Sequence, residues 1–242
     1  MKPALQHGFT LIEMAIVLMI VGLLLGGMLV PLSAQMDQRN STDTQKSLAE
    51  IKEAIIGYAL VNGRLPCPAS STSNGVESPA GGGNCSNFND GFVPAATLGI
   101  TSAVDNQGNT GFAVDAWGNR IRYAVTSWSS TTPPLNKVFT TTNGMSAVGI
   151  SNLSPNLLVC STASASSSSC SVANSALTAS PGVPAVIYST GKNNGAGSDE
   201  TENADNDPVY VSHTPAPTFD DLVVWISPNI LLNRMVAAGK LP

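Results

Sequence analysis

The strongest constraint on this chain is an apolar run near its start. From Phe9 to Leu32 there are 24 residues with a single formal charge, Glu13. As a helix this run would be roughly 36 Å long, at about 1.5 Å per residue, which is enough to cross a bilayer with some tilt. A carboxylate in such a segment costs roughly 2.5–3.5 kcal/mol at the bilayer centre and less near the edge. We therefore expect Glu13 to have a compensating partner.

Two simpler interpretations of this run fit less well. A secretory signal has an apolar region of about 7–15 residues followed by a small-residue cleavage site. The run here is longer, and no A-x-A site follows it. A plain single-pass anchor fits the length but leaves Glu13 without a partner.

The junction G-F-T-L-I-E, residues 8–13, resembles the prepilin signal of type IV pilins and type II secretion pseudopilins. The resemblance implies that a prepilin peptidase, which is also the methyltransferase, cuts after Gly8 and methylates the new amino terminus at Phe9. The apolar helix is then retained. An amine on Phe9 of one subunit would pair with Glu13 of a neighbouring pilin or pseudopilin subunit, because an opposite charge stabilises a carboxylate. Glu13 is thus implied as an assembly residue.

These features divide the chain into segments. The predicted segments are a leader at 1–8, a transmembrane or filament-core helix at 9–33, an amphipathic continuation of that helix at 34–63, and a β-rich globular head at 64–242. Lys2, with no acidic residue before Glu13, favours a cytoplasmic leader. The predicted location is the bacterial inner membrane, crossed once, with a periplasmic C-terminal head and assembly into a pilus or pseudopilus.

The pattern beyond the apolar run predicts an α+β fold, in which a long N-terminal helix packs on an antiparallel β-sheet head. Leu48, Ile51, Ile55 and Ala59 recur at helical spacing. Gly63 is a typical residue at the end of a helix. A turn is predicted at 115–119, strands at 120–125, 137–142, 147–150, 157–160, 183–189, 209–212 and 222–226, and a short helix from 228 to about 238.

The four cysteines, Cys67, Cys85, Cys160 and Cys170, are typical of an oxidising compartment. Four cysteines allow three pairings, and sequence alone does not choose between them. Neighbour pairing is favoured, because each bridge would then close a Gly-rich or Ser-rich loop. A zinc site is the competing interpretation, but the C-x-x-C spacing typical of such sites is missing.

An acidic stretch at 191–207 is the candidate metal site. The resemblance implies calcium here, because the major pseudopilins have a calcium loop in a comparable place, and calcium prefers carboxylate and carbonyl oxygens. Asp199, Asp205 and Asp207 are the predicted ligands. The sequence departs from that loop through Lys192-Asn193-Asn194 and an insertion at 208–219. A solvated acidic loop is the alternative, and no other cofactor is expected.

The predicted function is that of a structural subunit, a minor pilin or pseudopilin of a type IV pilus-like or type II secretion filament. The alternative is a filament-tip adhesin or ligand-binding module on the same anchor. The net charge of −5 and the 11% content of charged residues provide no basic footprint for nucleic acid. An enzyme is not predicted, because the G-x-S-x-G motif does not occur.

Overall fold

The computed structural model describes residues 8–163, 166, 168–170, 175–195 and 197–241, without the side chains of residue 25 and residues 27–32. Residues 1–7 of the predicted leader lie outside this range. The chain forms two compact units, Met1–Asn40 and Ser41–Pro242, hereafter the first unit and the second unit.

The described residues form an α+β structure, as predicted. The helices are α1 (Leu11–Asn62), α2 (Ala95–Leu98), α3 (Gly144–Val148), α4 (Ser198–Asn203) and α5 (Pro228–Ala237), with a 3₁₀-helix at Ile150–Asn152. The strands are β1 (Gly91–Phe92), β2 (Arg122–Val125), β3 (Ser130–Thr131), β4 (Pro134–Leu135), β5 (Leu158–Cys160), β6 (Ala185–Ser189), β7 (Val209–Val211) and β8 (Leu222–Ile226).

The first unit contains the part of α1 that carries the apolar run. Its described apolar side chains are exposed along the helix, from Leu11, at 94% exposure, to Leu24, at 59%. A helix that is apolar all round is normally buried among other helices or in lipid. Over the residues that the structure describes, no helix is both long enough and apolar enough to cross a membrane.

The second unit contains the amphipathic part of α1. Leu48, Ile51, Ile55 and Ala59 are all buried in its core, as the helical spacing predicts. The helix ends where Gly63 takes a left-handed φ of 67° and donates its N–H to the carbonyl of Ala59 at 2.9 Å. This backbone conformation favours glycine, because a side chain there would meet the backbone.

The main sheet of the second unit is antiparallel, with strand order β1-β2-β6-β8. All five residues of β6 are buried, because the sheet has a core on each face. Alternate side chains of a strand point to opposite faces. Tyr123 and Ile187 therefore enter the core shared with α1, whereas Ala124 and Tyr188 enter the second core.

The predicted turn at 115–119 leads into β2 and is held by the Asp115 side chain. Its Oδ1 accepts the backbone N–H groups of Trp117 at 2.9 Å and Asn119 at 2.8 Å. Gly118 supplies the positive φ of 85° that the turn needs. Trp117 packs at the margin of the core that contains Tyr123 and α1.

Two predicted strands, 137–142 and 147–150, are wrong. Residues 137–142 form turns in which the hydroxyl of Thr140 donates to the Lys137 carbonyl at 3.2 Å and that of Thr141 donates to the Asn136 carbonyl at 2.9 Å. Threonine hydroxyls that bond to nearby backbone compete with a strand ladder in this way. Residues 147–150 belong instead to α3 and the 3₁₀-helix, which are separated by Gly149 at a φ of 82°.

One strand pairing differs from the predicted antiparallel head, since β5 pairs with β7 in parallel. Disulfides join the neighbouring cysteines, Cys67 to Cys85 and Cys160 to Cys170. The second bridge closes the serine-rich loop at the end of β5. The structure therefore contains the neighbour pairing that the sequence favours.

Candidate functional site

The predicted processing residues lie just before α1, and the predicted assembly residue, Glu13, lies in its first turn. Gly8, Phe9 and Thr10 precede the helix and are exposed. The backbone N–H and the hydroxyl of Thr10 each donate to Glu13 Oε2 at 2.8 Å, and the Glu13 N–H donates to the Thr10 hydroxyl at 3.3 Å. This reciprocal arrangement is a capping box, which satisfies backbone donors at the start of a helix.

Glu13 thus has a partner within its own chain, which the sequence interpretation overlooked. The spacing T-x-x-E was the available signal. Only Oε2 takes part, since Glu13 Oε1 accepts no hydrogen bond from any described residue. One carboxylate oxygen therefore remains available to a donor from outside the chain.

The predicted calcium ligands do not form one group. Asp199 Oδ2 lies 3.1 Å from His213 Nε2, and Asp199 Oδ1 accepts the N–H of Ala163 at 3.0 Å. Asp205 and Asp207 lie together with Glu202, where one oxygen from each side chain lies within 4.8 Å of the others. The structure thus brings Asp205 and Asp207 together, while Asp199 faces His213.

A second carboxylate group, not predicted from the sequence, lies deeper in the second unit. Glu200, Asp220 and Asp221, hereafter the acidic cluster, each place one oxygen within 4.8 Å of the others. Glu200 is 1% exposed and Asp221 is 3% exposed. The cluster joins α4 to the residues that precede β8.

Backbone and amide donors satisfy only part of the acidic cluster. Glu200 accepts the N–H of Asp220 at 2.7 Å, and Asp221 Oδ2 accepts the side-chain amide of Asn203 at 2.7 Å. The second oxygens of these aspartates, Asp220 Oδ1 and Asp221 Oδ1, are buried and have no hydrogen-bond partner among the described residues. A buried charged oxygen without a partner is costly.

The electrostatics of the cluster oppose full ionisation. Burial raises the pKa of Asp221 to about 7. The hydrogen bond from Asn203 and the charge of Arg122 oppose that rise, and the charges of Glu200 and Asp220 add to it. Among the described residues, no lysine or arginine forms an ion pair with Asp220 or Asp221. The cluster therefore concentrates negative charge without a cationic side chain in contact with these aspartates.

Glycines make the close approach around the cluster possible. A Cβ on Gly191 would lie 2.2 Å from Asp220 Oδ1, and one on Gly197 would lie 1.9 Å from the carbonyl oxygen of Thr218. Together with the unpartnered oxygens, this packing fits a hard cation that prefers oxygen ligands, of which calcium is the one that takes six to eight.

Several other acidic side chains of the second unit form ion pairs with arginine. The Arg64–Glu77 pair, with 2.7 Å between Nη2 and Oε1, is almost fully buried on both sides. The Tyr58 hydroxyl also donates to Glu77 at 3.1 Å. Further arginine–carboxylate pairs among the described residues are Arg120–Asp105, Arg122–Asp90 and the more exposed Arg234–Glu53.

Comparison with known proteins bears on the amino-terminal segment. Residues 4–29 match the family described as the prokaryotic N-terminal methylation motif. The match includes Gly8, Phe9 and Glu13. No curated protein and no solved structure matched the chain. The chain therefore carries the prokaryotic N-terminal methylation motif, the signature of type IV pilins and pseudopilins.

Proposed function

We propose that this protein is a structural subunit, a minor pilin or pseudopilin, of a type IV pilus-like or type II secretion filament. The observation that carries the proposal is the methylation motif at residues 4–29. The exposed apolar surface of the first unit adds support, because a filament core of packed helices would cover it. The α+β second unit would form the head on the filament surface.

In this proposal the precursor is anchored once in the inner membrane, with its head in the periplasm. Prepilin peptidase cuts after Gly8 and the new amino terminus of Phe9 is methylated. The exposure of this segment supports the access that a membrane protease needs, since Phe9 is 84% exposed and the described residues 8–10 are not helical.

Glu13 would hold the register between subunits through the carboxylate oxygen that its own chain does not use. The amine of a neighbour's Phe9 would donate to Glu13 Oε1 while Thr10 keeps Oε2. A charge-assisted hydrogen bond of this kind is among the stronger ones in proteins. One side chain would thus cap its own helix and contact the next subunit.

Processing is tested with Gly8→Val in cells that also express a prepilin peptidase. Gly8 has open space around it, so that a larger side chain does not disturb the chain locally. Intact mass of the membrane fraction should show precursor for Gly8→Val, and a protein beginning at methylated Phe9 for the wild type. Gly22→Val, which also has open space, is the control and should be processed. Processed Gly8→Val protein, or an uncut wild type, would contradict the proposal.

The assembly role is tested with Glu13→Gln, which separates the two functions of the side chain. The amide oxygen of Gln still accepts the bonds of Thr10, but the negative charge is lost. Incorporation into filaments should fall by about tenfold or more, as loss of a bond to a charged group predicts. Glu13→Leu should also insert into the membrane and fail to assemble. Normal incorporation of Glu13→Gln would show that only the helix cap matters.

We also propose that the acidic cluster binds calcium, with Glu200, Asp220 and Asp221 as ligands in place of the predicted Asp199, Asp205 and Asp207. Support comes from the two unpartnered oxygens of Asp220 and Asp221. A bound cation would neutralise the cluster and tie α4 to the start of β8. Its role in the filament would be to stabilise the head.

A further inference from the structure

A cleft of about 300 Å³ opens in the second unit beside the first residues of β2. Its walls are mostly polar, and they include Asp105, Asn106, Asn119, Arg120, Arg122 and Asn194. We propose that this cleft binds a small polar ligand that carries a carboxylate. The proposal is independent of the filament role and of the calcium site.

Two guanidinium groups are fixed in the wall of the cleft. Arg120 and Arg122 lie two residues apart and both stack against the ring of Phe92, at 5.1 and 4.9 Å from its centroid. Arg120 also lies 4.0 Å from the centroid of Phe112 and donates its Nε–H to Asp105 at 2.5 Å. Stacking of this kind holds a guanidinium plane in place, so that little side-chain freedom is lost when a ligand binds.

Most donors of the two arginines are not used by the described residues. Arg122 donates from Nη1 to Asp90, which leaves its Nε and Nη2 without a partner there. Arg120 donates from Nε to Asp105 and from Nη1 to the Ser71 carbonyl, which leaves Nη2. A guanidinium has five N–H donors in a planar fork that matches a carboxylate. The spare groups therefore favour a ligand group that only accepts hydrogen bonds.

The acidic partner of Arg120 remains charged and occupied. Burial alone would raise the pKa of Asp105, but the N–H of Asn109 and the Arg120 guanidinium lower it below the ordinary value. Asp105 thus stays an ion that holds Arg120 in place. The net charge of the Arg120–Asp105 pair is small, so that directed donors, rather than a general positive field, would select the ligand.

The amide groups of the cleft favour hydroxyl groups on the rest of the ligand. Asn106 is held by bonds from its Nδ2 to the Trp117 carbonyl, at 2.9 Å, and to Asn119 Oδ1, at 3.2 Å. Asn194 Oδ1 accepts the Thr190 hydroxyl at 3.0 Å, which leaves the Asn194 amide donors without a described partner. A carboxylated sugar combines both kinds of group at a suitable size, and glucuronate is therefore the probe.

The test uses the full chain, labelled with ¹⁵N and held in detergent micelles. The chain has five arginines, whose Nε–H signals report on each guanidinium separately. Glucuronate should shift the signals of Arg120 and Arg122 saturably and leave those of Arg64 and Arg234 in place. Glucose with sodium chloride, at matched ionic strength, should shift none of them. Equal shifts with glucose and salt, or no shift with glucuronate, would overturn the proposal.

Two variants test whether the fork of Arg122 is the binding group. Arg122→Gln should weaken glucuronate binding by about tenfold or more, the effect of losing a charge-assisted bond. Arg122→Lys keeps the charge opposite Asp90 but loses the fork, and it should weaken binding by at least about threefold. Arg234→Gln, which removes an arginine paired with Glu53 outside the cleft, should change the affinity by less than about twofold. Unchanged affinity in a folded Arg122→Lys protein would overturn the proposal.

Discussion

The second unit buries negative charge in two different ways. Around the loop that Cys67 and Cys85 close, Glu77 is matched with Arg64, and both side chains are almost fully buried. Around α4 and β8, the acidic cluster buries its carboxylates, and within the described part of the chain no arginine or lysine forms an ion pair with Asp220 or Asp221. Near the Cys67–Cys85 loop, the counter-ion of Glu77 is Arg64 of the same chain. In the acidic cluster, a proton or a cation from outside the chain would neutralise Asp220 and Asp221, whose Oδ1 atoms have no hydrogen-bond partner among the described residues.

The largest effect on stability is expected at Glu77, whose counter-ion, Arg64, belongs to the same chain. Glu77→Ala should lower the free energy of unfolding by about 3–5 kcal/mol, because it leaves the buried Arg64 guanidinium without its partner. Glu77 also accepts the N–H of Cys67 at 3.0 Å, and this bond is lost as well. Urea unfolding of the full chain in detergent measures the change.

The control for this variant is Glu53→Ala, which removes an exposed carboxylate paired with Arg234. An exposed pair contributes about 0–1 kcal/mol. If Glu77→Ala lowered the free energy of unfolding no more than Glu53→Ala does, the Arg64–Glu77 pair would not be what stabilises the region around the Cys67–Cys85 loop.

The next effect on stability is expected from calcium bound at the acidic cluster. Calcium at about 100 times its dissociation constant should stabilise the protein by about 2.7 kcal/mol relative to protein in a chelator. Asp221→Asn should remove this stabilisation, because it removes a charged ligand. Thermal unfolding with calcium and with EGTA measures both values.

Asp207→Asn is the matched control for calcium, since Asp207 lies in the more exposed carboxylate group with Glu202 and Asp205. It should keep the calcium response. A response that persists in Asp221→Asn and disappears in Asp207→Asn would place the ion in the group that contains two of the predicted ligands.

A somewhat smaller effect is expected from pH in calcium-free protein. Because burial raises the pKa of Asp221 from 3.8 to about 7, the folded state keeps a proton that the unfolded state loses. Stability from this group should therefore fall as pH rises from about 4 to about 7. Unfolding measured across this range for wild type and Asp221→Asn isolates the contribution.

Glu77 should show the opposite dependence. Burial opposes its ionisation, but Arg64 and the N–H of Cys67 lower its pKa below the ordinary 4.5. Its contribution to stability is therefore present above pH 4.5 and is lost as pH falls through the lowered pKa. In acid, the wild type should lose stability relative to Glu77→Gln, because Glu77 becomes protonated and its pair with Arg64 is lost. In acid it should gain stability relative to Asp221→Asn, because the cost of ionising Asp221 is gone. Parallel slopes for Glu77 and Asp221 would refute the distinction.

The sequence predicted those parts of the fold that depend on local pattern. The helical spacing of Leu48, Ile51 and Ile55 and the end of α1 at Gly63 are set by neighbours along the chain, and both predictions are confirmed. The parallel pairing of β5 with β7 depends on partners about fifty residues apart, and no local pattern specifies it.

The candidate metal site likewise depends on contacts that the local sequence pattern does not specify. Asp199 and Glu200 are adjacent on α4, but successive helical residues point about 100° apart. Asp199 therefore faces His213, while Glu200 faces Asp220 and Asp221. The sequence distance grouped Asp199 with Asp205 and Asp207, whereas the structure places Asp199 beside His213, a residue of the insertion at 208–219.

The smallest effect on stability tests how far the contribution of an arginine–carboxylate ion pair depends on its burial. Asp90 pairs with Arg122, but the two side chains are 27% and 25% exposed, against 5% and 6% for Glu77 and Arg64. Asp90→Asn should therefore cost only about 0.5–1 kcal/mol in urea unfolding, since water screens a partly exposed pair. Asp43→Asn, from the exposed pair with Lys46 at 3.7 Å, is the control and should cost less still. A cost for Asp90→Asn as large as that for Glu77→Ala would mean that the pairing itself, and not its burial, separates the two regions.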